Sequence, residues 1–271
     1  MNKIIDVHIH ADFSNNLMIK GSKESGISYS DAELAKTLKS NNIKHAILVQ
    51  IYGASYDGTP VPTFNPIKEL KNTPVNCSIL VAVNPLIKQD ISAYENLAKS
   101  RKIQGFKIYL GYYHFYPYDN VYKPFYELAE KYNLIVMFHT GDNYSSKAKV
   151  KYAHPLNVDE VAVDYPKARF IIAHLGEPWV YDAAEVVYKN SNVYADVSGL
   201  VTGDLKKITN FNPRKFKEAL EYSGYDRILY GSDWPLAPMD KYIKFIKTLI
   251  PKKEQDKVFY ENAKKLFGIK D

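Results

Sequence analysis

The residues best suited to chemistry stand near the start of the chain, in the segment DVHIH at residues 6–10. Successive side chains of an extended strand point to opposite faces, so Asp6, His8 and His10 would share one face. The intervening Val and Ile side chains would share the other face. An aspartate and two histidines on so apolar a strand either contact water or line a functional site.

Further polar residues stand close to the ends of apolar, strand-like segments: Lys107 in GFKIY, His139 in LIVMFHTG, His174 in RFIIAHLG and Asp233 in RILYGSDWP. They follow one another at intervals of 32, 35 and 59 residues. These intervals fit one polar residue in each repeating strand–helix unit, with two units in the last interval.

Each of these positions has a structural explanation when it is taken alone. A single histidine at the end of an apolar strand is usually a hydrogen-bonded structural residue, and the aspartate of GSDWP could cap the following turn. Four imidazoles and one carboxylate at equivalent strand ends are harder to explain in this way. Together they predict a metal site with nitrogen and carboxylate ligands, which suits zinc and related ions.

The elements that must position these residues are short β-branched segments that alternate with segments of helical period. Strands are predicted near residues 3–9, 43–51, 77–83, 103–109, 134–139, 169–174, 192–197 and 227–232. Helices are predicted near residues 30–41, 64–71, 90–101, 121–132, 155–164, 180–190, 213–223, 239–249 and 253–267. Eight such alternations predict an α/β fold, a (β/α)8 TIM barrel that forms a single domain over residues 1–271. Enzymes with this fold carry their chemistry at the C-terminal ends of the strands, where the polar residues stand.

Two predicted loops are long for this fold, at residues 11–29 and 110–120. The second loop reads LGYYHFYPYDN, and it either packs against itself or forms the wall or lid of a pocket. His114 in this loop is a candidate substrate contact. His45 is expected to face solvent and His154 to cap a helix or lie at the surface, whereas Cys77 is expected to be a small buried apolar residue.

Composition limits the classes of function. The formal net charge is +6, but the 36 basic residues are mostly lysines spread among acidic residues, which indicates a solvated surface rather than a nucleic-acid interface. No apolar segment approaches the ~20 residues of a membrane span, and the N-terminus lacks a signal-peptide pattern. The single cysteine excludes an internal disulfide, so a cytoplasmic location is expected.

The sequence resembles the amidohydrolase superfamily, and within it the amidohydrolase-2 branch with aminocarboxymuconate-semialdehyde decarboxylase, resorcylate decarboxylases and pyrone-dicarboxylate lactonase. The segments that carry the resemblance are DVHIH, AVNP at 82–85, GFKIY, FHTG at 138–141, AHLG at 173–176, GSDWP at 231–235 and ENAKKLFGI at 261–269. They cover nearly the whole chain in the order typical of the family.

The resemblance implies a role for each matching position. His8, His10, His139 and Asp233 would bind one divalent ion, with zinc preferred. His174 would lie beside the ion and stabilise developing charge, and Asp233 would also transfer protons. Lys107 leaves an alternative open, because binuclear relatives resembling phosphotriesterase bridge two metal ions with a carboxylated lysine at this position; otherwise Lys107 would pair with a substrate carboxylate or with an acid such as Asp142.

The resemblance also implies a reaction. A divalent ion would activate water for hydrolysis of a small, carboxylate-bearing lactone, amide or ester, with Asp233, His174 and Lys107 as catalytic residues. The alternative is a non-oxidative decarboxylase of an aromatic or enoic acid on the same mononuclear site, and an inactive metal-binding barrel ranks third. Tyr109, His114 and Trp234 are candidate substrate contacts. The expected partner is a small-molecule substrate, and a homodimer is compatible with what is known of relatives.

Overall fold

The computed structural model describes residues 3–51, 76–206, 208 and 211–270. Eight strands form one sheet in the order β1-β2-β3-β4-β5-β6-β7-β8. Their bounds are β1 Ile4–Ile9, β2 Ile43–Val49, β3 Asn76–Val83, β4 Gly105–Tyr109, β5 Ile135–His139, β6 Arg169–Ile172, β7 Val193–Asp196 and β8 Ile228–Leu229.

Helices alternate with the strands in the described part of the chain. Their bounds are α1 Asn16–Glu24, α2 Asp31–Ser40, α3 Ile91–Lys99, α4 Lys123–Tyr132, α5 Leu156–Asp164, α6 Val180–Lys189, α7 Pro213–Ser223, α8 Met239–Leu249 and α9 Asn262–Phe267. Short 3₁₀ helices cover Val150–Ala153, Ala173–Gly176 and Lys252–Glu254, and a π-helical turn covers Lys257–Glu261.

The helix starts follow from local chemistry. The Ser30 side chain accepts a hydrogen bond from the backbone N–H of Glu33 (3.2 Å) and caps α2. Asn212 caps α7, because its side-chain oxygen accepts from the N–H of Arg214 at 3.1 Å, with Pro213 at the first helical position. Both starts agree with the sequence prediction.

The strands are buried along most of their length. Every residue of β1, β4 and β5 is buried, including the polar ones. β4 and β5 pair in parallel from Gly105↔Ile135 to Tyr109↔His139. Continuous burial of parallel strands explains why their sequences are apolar runs with few alternating polar residues.

The chain divides into two compact units. In described residues, the first unit contains residues 3–50, 76–78 and the described part of 196–270, and the second contains 51 and 79–195. The first unit therefore carries β1, β2 and β8, and the second carries β4, β5 and β6. The single-domain assignment stays a prediction.

Some local predictions are wrong. The predicted loop at residues 11–29 contains α1, because the Asn15 side chain accepts from the N–H groups of Leu17 (3.0 Å) and Met18 (3.2 Å) and caps a helix. His45 is buried rather than solvent-facing, with its Nε2 2.8 Å from the Ser78 hydroxyl. Cys77 is exposed, because it lies in the first, uncovered residues of β3.

The predicted helix near 64–71 lies outside the described residues. Within the described chain, no helix is both long enough and apolar enough to cross a membrane.

Candidate metal centre

Three predicted ligands of the first unit lie together at the ends of β1 and β8. The His10 Nε2 atom is 3.1 Å from Asp233 Oδ1, and the His8 Nε2 atom is 3.7 Å from the same oxygen. One ligand atom from each of the three residues lies within 4.8 Å of the other two. All three side chains are buried, so these polar atoms share a small volume that bulk water does not fill.

The other ring nitrogen of each histidine is bound by a neighbouring residue. The His10 Nδ1–H donates to the Val49 carbonyl oxygen (2.9 Å), and the His8 Nδ1 lies 2.9 Å from Asp196 Oδ2. A hydrogen bond of this kind at Nδ1 fixes the ring orientation and presents the Nε2 lone pair as a ligand. Both histidines therefore direct Nε2 toward Asp233.

Backbone hydrogen bonds fix the ends of β1 and β8 against each other. The Asp233 N–H donates to the His8 carbonyl (2.9 Å), and the His10 N–H donates to the Trp234 carbonyl (2.9 Å). Asp233 itself has a φ of 57°, a left-handed conformation that is uncommon outside glycine and is often found at functional sites. This turn directs the Asp233 carboxylate toward the two histidines.

The Asp6 side chain also links the ends of β1 and β8. Its Oδ1 accepts from the backbone N–H of His8 (3.1 Å) and of Ser232 (3.0 Å). The side chain is fully buried, and burial raises the pKa of Asp6 from 3.8 to about 7. The carboxyl group that shares a strand face with the histidines thus serves as a structural link between β1 and β8.

Two predicted site residues of the second unit contact each other. The His174 Nε2 lies 3.2 Å from the His139 Nδ1, and the His139 Nε2–H donates to the Asp142 carbonyl (2.9 Å). His139 is the last residue of β5, whereas His174 lies in the 3₁₀ turn after β6, with a φ of 60°. Such backbone strain at a histidine is typical of functional turns.

Lys107 and Tyr109 also belong to the second unit. Lys107 is fully buried on β4, and its Nζ lies 5.3 Å from the centre of the Tyr109 ring. The Tyr109 ring stacks near the His139 ring, with centroids 6.3 Å apart. Asp142, the acidic partner that the sequence suggests for Lys107, is exposed. A fully buried lysine is rare unless it is paired.

The other candidates have different surroundings. His114 is exposed; its Nε2–H donates to the Lys147 carbonyl (3.1 Å), and its ring stacks on Tyr152. Trp234 is 1% exposed and packs against Phe13 and Tyr29.

His154 accepts a hydrogen bond from the Leu156 N–H (3.3 Å), which agrees with a helix-capping role.

Sequence reasoning missed Asp196 and Ser198, both buried next to His8. The signal was present, because Asp196 ends β7 within VYADVSG as the other polar residues end their strands. A search of β7 for a polar residue at its end, as was done for the other strands, would have identified Asp196.

The donor set of the first unit fits a divalent cation. Imidazole nitrogens and a carboxylate oxygen are the ligands that zinc and other first-row divalent ions use, and here the histidines are already oriented at Nδ1. Three buried groups of this type at this separation match a metal site better than a hydrogen-bond network, since a neutral histidine ring with its proton on Nδ1 presents a lone pair and no donor to the Asp233 carboxylate.

The chain is similar to a curated decarboxylase over part of its length. Gamma-resorcylate decarboxylase from Polaromonas sp. is 28% identical over 126 residues, which are 39% of this chain and 36% of the relative. The match thus spans about a third of the length of that curated relative.

Solved structures match over the full length. An uncharacterized Tim-barrel protein from Bordetella bronchiseptica is 18% identical, with a TM-score of 0.79 over 98% of this chain and 99% of the other. A probable 2-pyrone-4,6-dicarboxylic acid hydrolase from Acinetobacter baumannii with bound citric acid is 19% identical, with a TM-score of 0.71 over 99% and 100% of the two chains. These matches confirm the predicted (β/α)8 TIM-barrel fold.

A metal-containing structure is also similar. Dihydroxybenzoic acid decarboxylase from Polaromonas sp. JS666, solved with manganese and 2-nitroresorcinol, is 16% identical, with a TM-score of 0.68 over 99% of this chain and 98% of the other.

The family itself follows from a match that covers almost every residue. The family model described as Amidohydrolase matches residues 5–269, a range that contains all the predicted site residues. The resemblance inferred from the strand-end segments is therefore confirmed, and the chain belongs to the amidohydrolase family, in its amidohydrolase-2 branch.

Proposed function

We propose that the protein is a metal-dependent hydrolase that acts on a small, carboxylate-bearing lactone, amide or ester. One observation carries this proposal: the buried cluster of His8, His10 and Asp233 at the ends of β1 and β8. A structural role alone does not require two imidazoles with fixed orientation around one carboxylate.

The proposed centre binds one divalent ion, preferably zinc, through His8, His10, His139 and Asp233. The short distances among His8, His10 and Asp233 support these three as ligands. The assignment of His139 rests on the family's sequence pattern. A second ion with a carboxylated Lys107 is the binuclear alternative, and the stoichiometry of bound metal distinguishes the two.

The bound ion would supply Lewis acidity, which polarises oxygen atoms of water and substrate. Asp233 accepts the proton of the attacking water and then donates it to the leaving group. Its buried carboxylate is suited to this role because the left-handed turn at Asp233 holds the side chain in place.

The remaining residues would act on the substrate. His174 stabilises the negative charge that develops on the substrate oxygen, from its position beside His139. Lys107 attracts the substrate carboxylate from its buried position on β4. Tyr109 and His114 are the proposed substrate contacts, and Trp234 is the weakest of the three because its ring is covered by Phe13 and Tyr29.

A second candidate function is non-oxidative decarboxylation of an aromatic or enoic acid. It is favoured by the similarity to gamma-resorcylate decarboxylase and to the manganese-containing dihydroxybenzoic acid decarboxylase. Here Asp233 or His174 would protonate the carbon atom that loses carbon dioxide.

The deciding experiment uses the purified protein loaded with zinc or manganese. A panel of lactones, esters, amides and aromatic acids is assayed in parallel for hydrolysis products and for release of carbon dioxide. Hydrolysis without carbon dioxide supports the first function, and carbon dioxide release supports the second. Turnover of none of the compounds by metal-loaded protein would favour the metal-binding barrel without activity.

Elemental analysis of the same sample gives the metal stoichiometry. One ion per chain is expected, and two ions would contradict the mononuclear proposal. A cytoplasmic location and a homodimer remain part of the proposal.

A further inference from the structure

A buried network of three side chains surrounds the Nδ1 atom of His8. Asp196 Oδ2 lies 2.9 Å from this nitrogen, and the Ser198 hydroxyl oxygen lies 3.0 Å from it. His8, Asp196 and Ser198 each have 0% exposure. Burial on this scale makes the orientation of each polar group energetically important, because water cannot replace a misdirected partner.

Ser198 fixes the orientation of the Asp196 carboxyl group. Its backbone N–H donates to Asp196 Oδ1 (3.0 Å), and its hydroxyl donates to the same oxygen (2.5 Å). With Oδ1 bound by these two donors, Oδ2 is the oxygen that remains directed at His8. Ser198 therefore acts on the histidine through the carboxylate.

The close approach of these groups depends on Gly231. A Cβ atom at this position would lie 2.8 Å from the His8 Cβ and 3.0 Å from the Ser198 Cβ. Glycine thus allows β1, β8 and the segment after β7 to converge behind the His8 ring.

We propose that Asp196, oriented by Ser198, is a positioning residue that holds His8 in its Nδ1-protonated tautomer and so sets the affinity of the centre for a divalent ion. An ionised carboxylate only accepts, so the proton of the neutral ring is fixed on Nδ1 and the lone pair on Nε2. The Nε2 atom is the one that faces Asp233. This inference rests on the proposed metal centre and extends it to residues outside the ligand set.

The substitution Asp196→Asn tests the tautomer directly. The Ser198 donors would bind the amide oxygen at the Oδ1 position, which places the amide NH₂ against His8 Nδ1. An amide donor at this nitrogen favours the Nε2–H tautomer, in which the ligand lone pair is lost. Long-range ¹⁵N–¹H spectra of the metal-free protein report the tautomer of His8 without any substrate or ion.

Zinc affinity is measured on the same variants by competition with a chromophoric chelator. Asp196→Asn is expected to weaken zinc binding by about 10- to 100-fold, and Ser198→Ala by about 3- to 10-fold, the effect of one lost hydrogen bond. Ser198→Thr keeps the hydroxyl and is expected to bind zinc more tightly than Ser198→Ala. Asp226→Asn is the matched control, because Asp226 is an exposed aspartate of the same unit that pairs with Lys257 (2.9 Å).

The outcomes separate this inference from the proposed function. If the wild type does not bind zinc, the metal centre fails and this inference fails with it. If the wild type binds zinc and Asp196→Asn keeps both the Nδ1–H tautomer and an affinity within twofold, only the positioning role is wrong. Should Asp196→Asn not fold, the contrast between Ser198→Ala and Ser198→Thr decides, and equal affinities for these two would overturn the proposal.

Discussion

The Nδ1–H of His10 donates to the carbonyl oxygen of Val49 at 2.9 Å, which ties a proposed metal ligand of β1 to the last residue of β2. A carbonyl only accepts, so the neutral His10 ring carries its proton on Nδ1 and its lone pair on Nε2. His10 is therefore oriented toward Asp233 by backbone alone, whereas His8 depends on the Asp196 side chain.

Removal of the metal should lower the stability of the protein. Binding to the folded state alone adds about 2.7 kcal/mol when the free ion is at 100 times its dissociation constant. For a chain of this length that corresponds to roughly 5–10 °C in unfolding temperature. Thermal unfolding followed by circular dichroism, with zinc and after chelation with EDTA, measures this difference.

The control for metal removal is the variant His10→Ala. It lacks one ligand, so its unfolding temperature should respond to EDTA much less than that of the wild type. Equal sensitivity of the variant and the wild type would mean that the stabilising ion binds elsewhere.

The substitution Asp233→Asn should abolish most of the turnover. The amide cannot accept the proton of the attacking water, and general acid–base catalysis contributes about 10²- to 10⁴-fold. The rate constant kcat is measured on whichever compound of the panel the wild type converts, and circular dichroism verifies that the fold is retained. Wild-type kcat in a folded Asp233→Asn variant would exclude a proton-transfer role.

Much of the fold was predictable because parallel strands covered on both faces leave an apolar signature. Segments such as LIVMF and RFII contrast with the polar residues at their ends, and this contrast located β5 and β6. The prediction that residues 11–29 form a loop was wrong for a local reason. The cap formed by Asn15 starts α1 in a segment where no strong apolar period reveals a helix.

The site residues that follow apolar strands were predictable from the sequence. The partners that they contact on other strands were not. His8, His10 and Asp233 were identified because a carboxylate and imidazoles are unexpected on such strands. The partnership of Val49 with His10 could not be predicted, since any residue offers a backbone carbonyl. The burial of His45 likewise depends on Ser78, which lies on a different strand.

His45 should make the protein less stable as the pH falls. Burial lowers the pKa of His45 below the value of 6.5 that it takes in the unfolded chain. The unfolded state then binds more protons below this value, so stability is fully present above pH 6.5 and decreases as the pH falls through the folded-state pKa. The variant His45→Gln should show a shallower decrease, by at most about 1.4 kcal/mol per pH unit for one proton.

Urea denaturation between pH 5 and pH 8 measures this dependence. His114→Gln is the matched control, because it makes the same substitution at a histidine whose ring is exposed rather than buried. A His45→Gln slope identical to that of the wild type would show that other groups cause the acid sensitivity.

Two glycines with the same backbone conformation should differ sharply in their tolerance of alanine. Gly141 has a φ of 85° and Gly203 a φ of 84°, so a Cβ costs about 1–2 kcal/mol at either position. At Gly141 the Cβ would also lie 2.0 Å from the Glu177 carbonyl oxygen, whereas at Gly203 nothing lies within 4 Å. The free energy of unfolding of Gly141→Ala should therefore be lower than that of Gly203→Ala by about 1–3 kcal/mol, because of overpacking. Urea unfolding midpoints of the two variants measure the difference, and activity should fall only in Gly141→Ala, because Gly141 follows His139 by two residues. Equal midpoints would mean that the turn relaxes away from Glu177 at no cost, and the close packing of these two segments would then not matter for stability.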